Sequence, residues 1–498
     1  MKLFNMKYIV GGLLIASLAS CSKSLDKMPY SDIELSQSFQ SVKDAKTWNT
    51  GLYSNLRARV GGIYTFTTDV QADQLNASLD FGNRNGFPHR WEGFLADDYN
   101  IRDIWQGYYR GITNANIMIN GFNQITPTAA EEAELNRYKG DAHLVRAFYY
   151  SQLIQLFAKP YSATTAASDL GVPLVLEYDV TAQPERATVK AVYDQILSDL
   201  DQAKTFLADV PGVKGSPRFT RDVVTALEAR VKLNMQDWAG AKAAADALIN
   251  SGTYPLITDQ TAFTNYWHAD TDGESILQLT VVAPNELSNA NNIYLGYVPA
   301  EDRFTPDFIP SQWVVNMYEE DDIRKAAYFE QKPLLIQGTD YDDVWLVNKY
   351  PGNPAFFTGA TTNYQHEPKV FRIAEMYLIS AEASARLGGS GEADALTRLN
   401  QLRTARGLDA LSGLSGDALL IAIKEERTRE LAFEGFRLLD LKRWNEGFTR
   451  RDPQNTAYLS QGANYYTLSI AANNPKFVWG LPQNDVTINP SLTQNPGW

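Results

Sequence analysis

The sequence contains few of the residues on which metal sites and disulfide frameworks depend. It has one cysteine and four histidines in 498 residues. A single cysteine excludes an internal disulfide framework, and the histidines lie far apart without the spacing of a zinc site. The phosphate-loop, zinc-protease and nucleophile-elbow motifs are also missing. The sequence therefore predicts no metal, no cofactor and no catalytic centre of these kinds.

Positive charge is also scarce, and long apolar runs are almost missing. The chain has 45 lysine and arginine residues against 58 aspartate and glutamate residues, a formal net charge of -13. Nucleic-acid binding needs a basic face that displaces counterions, so we expect no nucleic-acid partner. The longest apolar run, residues 8–19, is too short to cross a hydrocarbon core of roughly 30 Å.

That apolar run belongs to an N-terminal export signal. Lys2 and Lys7 precede it, and small residues follow it up to Cys21. The segment ending at Cys21 resembles a bacterial lipobox, in which the cysteine is acylated and becomes the mature N-terminus. Acyl chains on Cys21 would hold the protein at a membrane surface. We therefore predict a signal peptide, a lipidated tether and one folded domain, over residues 1–20, 21–40 and 41–498.

The rest of the chain shows helical periodicity interrupted by two irregular stretches. Apolar residues recur every three to four positions in ten segments: 41–58, 98–121, 129–158, 188–208, 218–235, 238–251, 369–387, 391–406, 415–434 and 436–446. Short strands are expected at 276–282 and 172–176. Residues 60–97 and 251–365 lack helical periodicity and predict long loop insertions. The fold class is therefore mainly α.

Two segments have the pattern of tetratricopeptide-like helix pairs. In 222–251 and 372–404, small and large apolar residues alternate on either side of a short turn. About four such pairs are expected along the chain. Long insertions in helical-repeat proteins gather on one face, which is often the binding face.

Several longer motifs make the sequence similar to the SusD/RagB family of bacterial surface lipoproteins. They occur in order at 140–150, 188–196, 372–378, 426–444 and 494–498. The resemblance implies a scaffold of four tetratricopeptide-like pairs facing a SusC-like TonB-dependent transporter. It also implies a lipid-anchored protein on the outside of the outer membrane, with a ligand site in the insertions and no enzymatic activity.

The insertions contain residues suited to a glycan. Sugar rings stack on aromatic faces, and their hydroxyl groups need carboxylate, amide or guanidinium partners. Glycan contacts are therefore expected at eight candidates: Asp73, Asn83, Arg84, Trp91, Trp267, Tyr294, Tyr297 and Trp345. The RagB branch of the family implies peptide capture as an alternative. A surface glycoside hydrolase is a third possibility, because the separation of two catalytic carboxylates is a three-dimensional quantity.

The pattern of charged residues in one predicted helix favours a structural role for its carboxylates over a catalytic role. Glu426, Glu430 and Glu434 are spaced four residues apart and share one helix face. A di-metal carboxylate site would also need histidine in this segment, which has none. We expect buried ion pairs, with Glu430 neutralised by nearby arginines in the sequence, namely Arg427, Arg437 and Arg443.

Overall fold

The computed structural model describes residues 35–287 and 290–498, and α-helices predominate in this part of the chain. The predicted signal peptide, Cys21 and most of the tether lie outside the described residues. In chain order the α-helices are α1 (Val42–Arg57), α2 (Ile63–Gln71), α3 (Gly86–Arg90), α4 (Tyr99–Phe122), α5 (Glu132–Phe157), α6 (Val189–Phe206), α7 (Arg221–Asn234), α8 (Trp238–Asn250), α9 (Gln260–His268), α10 (Gln312–Val315), α11 (Ile323–Tyr328), α12 (Ile373–Leu387), α13 (Gly391–Ala405), α14 (Gly416–Glu430), α15 (Arg437–Trp444) and α16 (Gln483–Ile488).

The predicted helical scaffold is confirmed. Consecutive helices pack as α4 with α5, α5 with α6, α7 with α8, and α12 with α13, and α12 also packs on α8 and α14. Side chains that precede the helices satisfy their first free amides. Ser41 and Asp44 form a capping box at α1, while Thr220 and Asp237 accept backbone N–H bonds at α7 and α8. These caps explain why sequence-based boundaries agree with the structure within a few residues.

Small residues let the scaffold helices approach closely. Ala226 and Ala229 in α7, and Ala241 and Ala245 in α8, are fully buried between the helices. Gly111 in α4 lies against Tyr149 in α5, where a Cβ atom would come 2.3 Å from the tyrosine ring. Any larger residue at position 111 would therefore push the two helices apart.

The strands are short and lie mainly in the insertions. They are β1 (Leu75–Ala77), β2 (Leu170–Pro173), β3 (Arg186–Thr188), β4 (Ser275–Gln278), β5 (Tyr297–Val298), β6 (Arg303–Phe304), β7 (Phe308–Pro310), β8 (Phe329–Ile336), β9 (Thr339–Val347), β10 (Lys369–Arg372), β11 (Phe448–Thr449) and β12 (Ser469–Ile470). The largest sheet has the order β5-β6-β8-β9, in which β6 and β8 are parallel. The hairpin of β8 and β9, from Phe329 paired with Val347 to Ile336 paired with Thr339, lies in a stretch expected to be irregular.

The two insertions pack against each other. Strand β1 from the first insertion pairs with β7 from the second, with Asn76 opposite Ile309. A second hydrophobic core, separate from that of the scaffold, contains Phe66 and Phe81 from the first insertion and Phe308 and Tyr328 from the second. Both regions predicted to contact ligand are therefore brought into one part of the molecule.

Candidate functional site

Partly exposed aromatic and polar side chains lie on three segments that contact one another through hydrogen bonds and ring packing. The segments are residues 81–99, residues 297–364 and residues 464–466. We call this the aromatic loop surface, and it consists of Asn83, Arg84, Phe87, Arg90, Tyr99, Tyr297, Phe304, Tyr341, Tyr364, Tyr465 and Tyr466. Phe87 and Tyr99 are its most exposed rings, at 41% and 42%.

Left-handed backbone turns shape the first of these segments. Gly82, Asn83 and Asn85 have φ values of 59°, 59° and 55°. Glycine and asparagine tolerate this conformation better than other residues. The Gly- and Asn-rich sequence therefore accommodates this left-handed backbone, and Asn83 and Arg84 are exposed to solvent.

Hydrogen bonds link the three segments. The Arg84 guanidinium donates through Nε to Asp307 Oδ2 at 2.8 Å, and through Nη2 to the other oxygen of the same carboxylate. Arg90 donates to Asn83 Oδ1 at 2.7 Å and lies near the Tyr465 ring. Burial raises the pKa of Asp307, although the Arg84 charge opposes that shift.

A small hydrophobic cluster supports rings of the second and third segments. Phe304, Tyr341, Tyr364 and Tyr466 all pack at its edge, on a centre that includes Leu334. Tyr297 lies 5.0 Å from Phe304, measured between ring centroids. These rings are held in place on one side and remain partly accessible on the other.

Three of the eight predicted ligand residues lie on this surface: Asn83, Arg84 and Tyr297. Trp345 is partly buried and packs against the second core, whereas Tyr341 packs against the small cluster. The two side chains therefore lie on opposite faces of β9. Trp345 does not belong to the surface.

Trp91 lies in the interior, not in an exposed loop as expected. It ends α3 with a φ of 57°, which directs the indole inward, and only 7% of the residue is exposed. Its Nε1 donates to the Gln71 carbonyl at 2.7 Å. The ring makes edge contacts with Phe448 and Phe477. The indole therefore offers no free face for stacking on a sugar.

Three other candidates are buried as well. Trp267 and Tyr294 belong to the second core, where each is at most 3% exposed. Asp73 is buried in a bidentate ion pair, with Arg437 Nη2 at 2.8 Å. Burial opposes ionisation there, but the Arg437 charge holds the pKa of Asp73 below its ordinary value. The expectation that these side chains lie on an exposed platform is not met.

The sequence reasoning missed Phe87, Tyr99, Tyr465 and Tyr466. The pair at 465–466 follows Gly462 and Asn464, close to the C-terminus and far in sequence from the other loops. Two adjacent aromatic residues beside glycine and asparagine are typical of an exposed loop, and this was the available sequence signal. Only the folded structure brings them to the first insertion, where Tyr465 contacts Phe81.

The carboxylates predicted to be structural lie in a buried charge network. Glu430 is fully buried and binds Arg324, Arg372 and Arg406 at 2.9 Å each. Burial alone would raise its pKa, but these three guanidinium groups hold it well below the ordinary range. The buried ion-pair role is thus confirmed.

The partners expected for Glu430 were wrong. Arg427, Arg437 and Arg443 instead bind Asp440, Asp73 and Glu382. On α14 and α15 these arginines are close to Glu430 in sequence, but the fold brings in arginines from distant segments. Within residues 35–287 and 290–498, no group of three or more His, Cys, Asp or Glu side chains is placed to hold a metal ion.

Comparison with known protein families gives two matches that together span most of the chain. Residues 258–498 match the family described as the SusD family, and residues 23–233 match one described as starch-binding associating with outer membrane. The chain belongs to the SusD family. It is 24% identical to SusD-like protein P38 of Formosa agariphila, with 96% of each chain covered.

Solved structures of the SusD superfamily have the same architecture. A SusD superfamily protein from Bacteroides thetaiotaomicron is 25% identical, with a TM-score of 0.79 over 92% of this chain and 100% of that one. A laminarin-binding SusD-like protein is 22% identical, with a TM-score of 0.69 over 92% of this chain and 100% of that one. Among the described residues of this SusD family member, no helix is both long and apolar enough to span a membrane.

Proposed function

We propose that this SusD family member is a glycan-binding lipoprotein of the outer-membrane surface, and that the aromatic loop surface holds the glycan. The observation that carries the proposal is the pairing of β1 with β7, which brings two insertions rich in aromatic and amide side chains together. Phe87, Tyr99 and Tyr297 supply rings, and Asn83 and Arg84 supply hydrogen-bond donors.

The comparisons support this class of ligand. One family description names starch binding at the outer membrane, and one structural neighbour is a laminarin-binding protein. In this proposal the lipid on Cys21 anchors the protein facing the cell exterior. The protein then passes its oligosaccharide to a SusC-like TonB-dependent transporter.

Binding without hydrolysis is the proposed activity. Three carboxylates beside the surface already have a partner: Asp307 accepts from Arg84, Asp302 accepts from the Tyr297 hydroxyl, and Asp80 accepts from the Gln337 amide. Catalytic acid and base carboxylates must instead be available to the glycosidic bond and to water. These engaged carboxylates favour a binding role.

Affinity gel electrophoresis tests the proposal. Native gels containing laminarin, starch or other neutral polysaccharides should retard the protein in at least one case, without release of reducing sugar. The double variant Phe87→Ala/Tyr297→Ala should migrate freely in that gel. The matched control Tyr178→Ala removes a ring that is 51% exposed outside the surface, and its retardation should persist.

Peptide capture is the competing outcome. If no polysaccharide retards the protein but calorimetry with a peptide mixture gives heat that the double variant loses, the glycan proposal is wrong. Reducing-sugar release from a retarding polysaccharide would contradict the proposal that the protein binds without hydrolysis.

A further inference from the structure

A cleft lies between the helical scaffold and the second core, and none of its lining residues belongs to the aromatic loop surface. Its scaffold side is lined by Arg59, Gln152 and Arg230, and its other side by Trp267 and Tyr350. Three of these lining residues carry an N–H donor that makes no hydrogen bond within the described residues, and each is more than nine-tenths buried. They are Arg59, Arg230 and Trp267.

The Trp267 indole has the clearest unused donor. The residue is 3% exposed, and its Nε1 is buried without a hydrogen-bond partner. Its ring lies close to cations, with Lys349 Nζ 4.1 Å and the Arg372 guanidinium carbon 5.2 Å from the ring centroid. Leaving a buried donor unsatisfied is unfavourable, so native proteins seldom keep one without a reason.

The Arg230 guanidinium is rigidly held with one nitrogen unused. Nε and Nη2 bind the Glu375 carboxylate at 2.8 Å and 2.6 Å, and Nη2 also donates to the Val370 carbonyl. The group lies 4.2 Å from the Phe371 ring centroid and 5.2 Å from that of Phe436. Nη1 makes no hydrogen bond to the described residues. It is a fixed, positively charged donor at the cleft.

Arg59 has the same arrangement on the scaffold side. Its Nε donates to the Gly107 carbonyl at 2.6 Å, and Nη1 donates to the backbone and side-chain oxygens of Asn55. Nη2 makes no hydrogen bond within the described part of the chain. No ion pair within 4.0 Å joins Arg59 to a described carboxylate, so its charge is not neutralised locally.

The remaining charged groups of the cleft are already engaged. Glu434 binds Lys349 and Arg372, and Glu367 accepts from Gln278 and from the Val281 amide. Lys369 binds Asp270 at 2.7 Å. His366 also lines the cleft, and burial lowers its pKa, so it is neutral at pH 7. Among the charged groups that line the cleft, Arg59 and Arg230 therefore each keep an N–H donor that makes no hydrogen bond within the described residues.

We propose that this cleft binds a small sugar acid, a molecule with one carboxylate and several hydroxyl oxygens. A carboxylate matches a guanidinium donor in charge and geometry. The hydroxyl oxygens supply acceptors for donors that stand on different walls of the cleft. This site is separate from the proposed glycan surface, because none of its three donors belongs to that surface.

Calorimetric titration with sodium glucuronate tests the site on the full mature chain. Glucuronate should bind, whereas glucose, which lacks the carboxylate, and acetate, which lacks the hydroxyl groups, should bind at least tenfold more weakly. Trp267→Phe removes the unused donor and keeps an aromatic ring, and should raise the Kd for glucuronate about tenfold or more.

Trp313→Phe is the matched control. The Trp313 Nε1 is also buried without a partner, but that residue lines a different groove, and its loss should leave the glucuronate Kd unchanged. Arg59→Gln provides a second test that does not depend on the folding of the Trp267 variant. It should raise the Kd at least tenfold.

An NMR measurement locates the ligand directly. The chain has ten tryptophans, and the indole N–H signal that is missing from the spectrum of Trp267→Phe belongs to Trp267. This signal should shift when glucuronate is added to the wild type. The proposal is overturned if glucuronate fails to bind, if glucose or acetate binds equally well, or if Trp267→Phe and Trp313→Phe weaken binding alike. Retained glucuronate binding in Phe87→Ala/Tyr297→Ala separates this result from the glycan proposal.

Discussion

Trp91 shows how one backbone conformation decides the role of a side chain. The residue follows Arg90 in a polar loop, where nothing in the periodicity requires a core position. Its positive φ directs the indole into a cluster with Phe448 and Phe477, both contributed by the C-terminal part of the chain. Neither the left-handed turn nor those distant partners could be predicted from the local sequence.

Trp91→Ala should therefore be a stability variant. Loss of a buried tryptophan leaves a cavity and an unpaired Gln71 carbonyl, at a cost of about 3–5 kcal/mol in the free energy of unfolding. Urea unfolding measures this cost. Phe87→Ala in the same loop removes an exposed ring and should change the free energy of unfolding by less than about 1 kcal/mol. Equal stability of both variants would contradict the interior position of Trp91.

Glu430 lies at the centre of a network that joins four separate segments. Arg324 is the second residue of α11, Arg372 is the last residue of β10, and Arg406 directly follows α13. Each guanidinium makes a hydrogen bond to the carboxylate of Glu430. Removing the carboxylate leaves three buried cations with less compensation, which is costly in a low-dielectric interior.

Glu430→Ala should lower the free energy of unfolding by about 3–5 kcal/mol and leave glycan affinity nearly unchanged. The control is Glu425→Ala on the same helix, because Glu425 is exposed and forms no ion pair with the described residues. Thermal melting and calorimetry on both variants test the assignment. Wild-type stability combined with lost binding in Glu430→Ala would assign the residue to the ligand site.

At the scale of elements, an ion pair joins helix α12 to helix α15. Both Arg443 terminal nitrogens bind the Glu382 carboxylate, at 2.7 Å and 2.8 Å, and the Trp444 indole donates to it as well. Burial opposes ionisation of Glu382, but the Arg443 charge outweighs it and lowers the pKa to about 2. The pair stabilises the fold at every pH above the ordinary glutamate pKa.

The pH dependence of stability tests this pair. Because the folded pKa is depressed, the stabilisation is complete above about pH 4.5 and is lost as the pH falls towards 2. Glu382→Gln should lower the free energy of unfolding by about 3 kcal/mol at pH 7, and by progressively less below pH 4. Urea unfolding from pH 7 to 2.5 measures the difference. If the stability difference between Glu382→Gln and the wild type stayed constant with pH, the lowered pKa of Glu382 would be contradicted. The control Glu425→Gln, at an exposed position of α14, should have the stability of the wild type throughout.

The predictability of each element follows from how local its signal is. Amphipathic periods and caps are local, so α1, α7 and α8 could be predicted within a few residues. The hairpin of β8 and β9 depends on packing between the second core and a smaller cluster, and α2 lies in a segment whose buried face is polar as well as apolar. Those elements are specified by tertiary contacts that no short window contains.

At the scale of the whole molecule, the scaffold and the proposed ligand surface also differ in how local their sequence signals are. The sequence predicted a ligand site in the insertions at 60–97 and 251–365, and three of its candidates, Asn83, Arg84 and Tyr297, lie on the proposed surface. It did not indicate that the two insertions pair strand to strand, or that residues 464–466 join them. Composition alone cannot separate an exposed ring from a buried one, which is why Trp267 and Tyr294 were expected on the surface.

In the proposed function, the anchoring of the whole molecule depends on acylation of Cys21. Cys21→Ala should leave the folded domain intact but release the protein from the membrane fraction, because acyl chains can no longer be attached. Metabolic labelling with a fatty-acid probe measures the attachment. Ser24→Ala changes a nearby residue and should remain labelled. A Cys21→Ala protein that still carries the label would contradict the lipobox interpretation.

The central claim is that the aromatic loop surface binds glycan, and calorimetry on one double variant tests it most directly. The titrant is an oligosaccharide cut from whichever neutral polysaccharide retards the wild type in gels. Phe87→Ala/Tyr297→Ala should raise the Kd about 30-fold or more, since a hot-spot side chain contributes about 2 kcal/mol, while Tyr178→Ala should keep the wild-type Kd. A double variant that melts like the wild type and binds with the wild-type Kd would contradict the account.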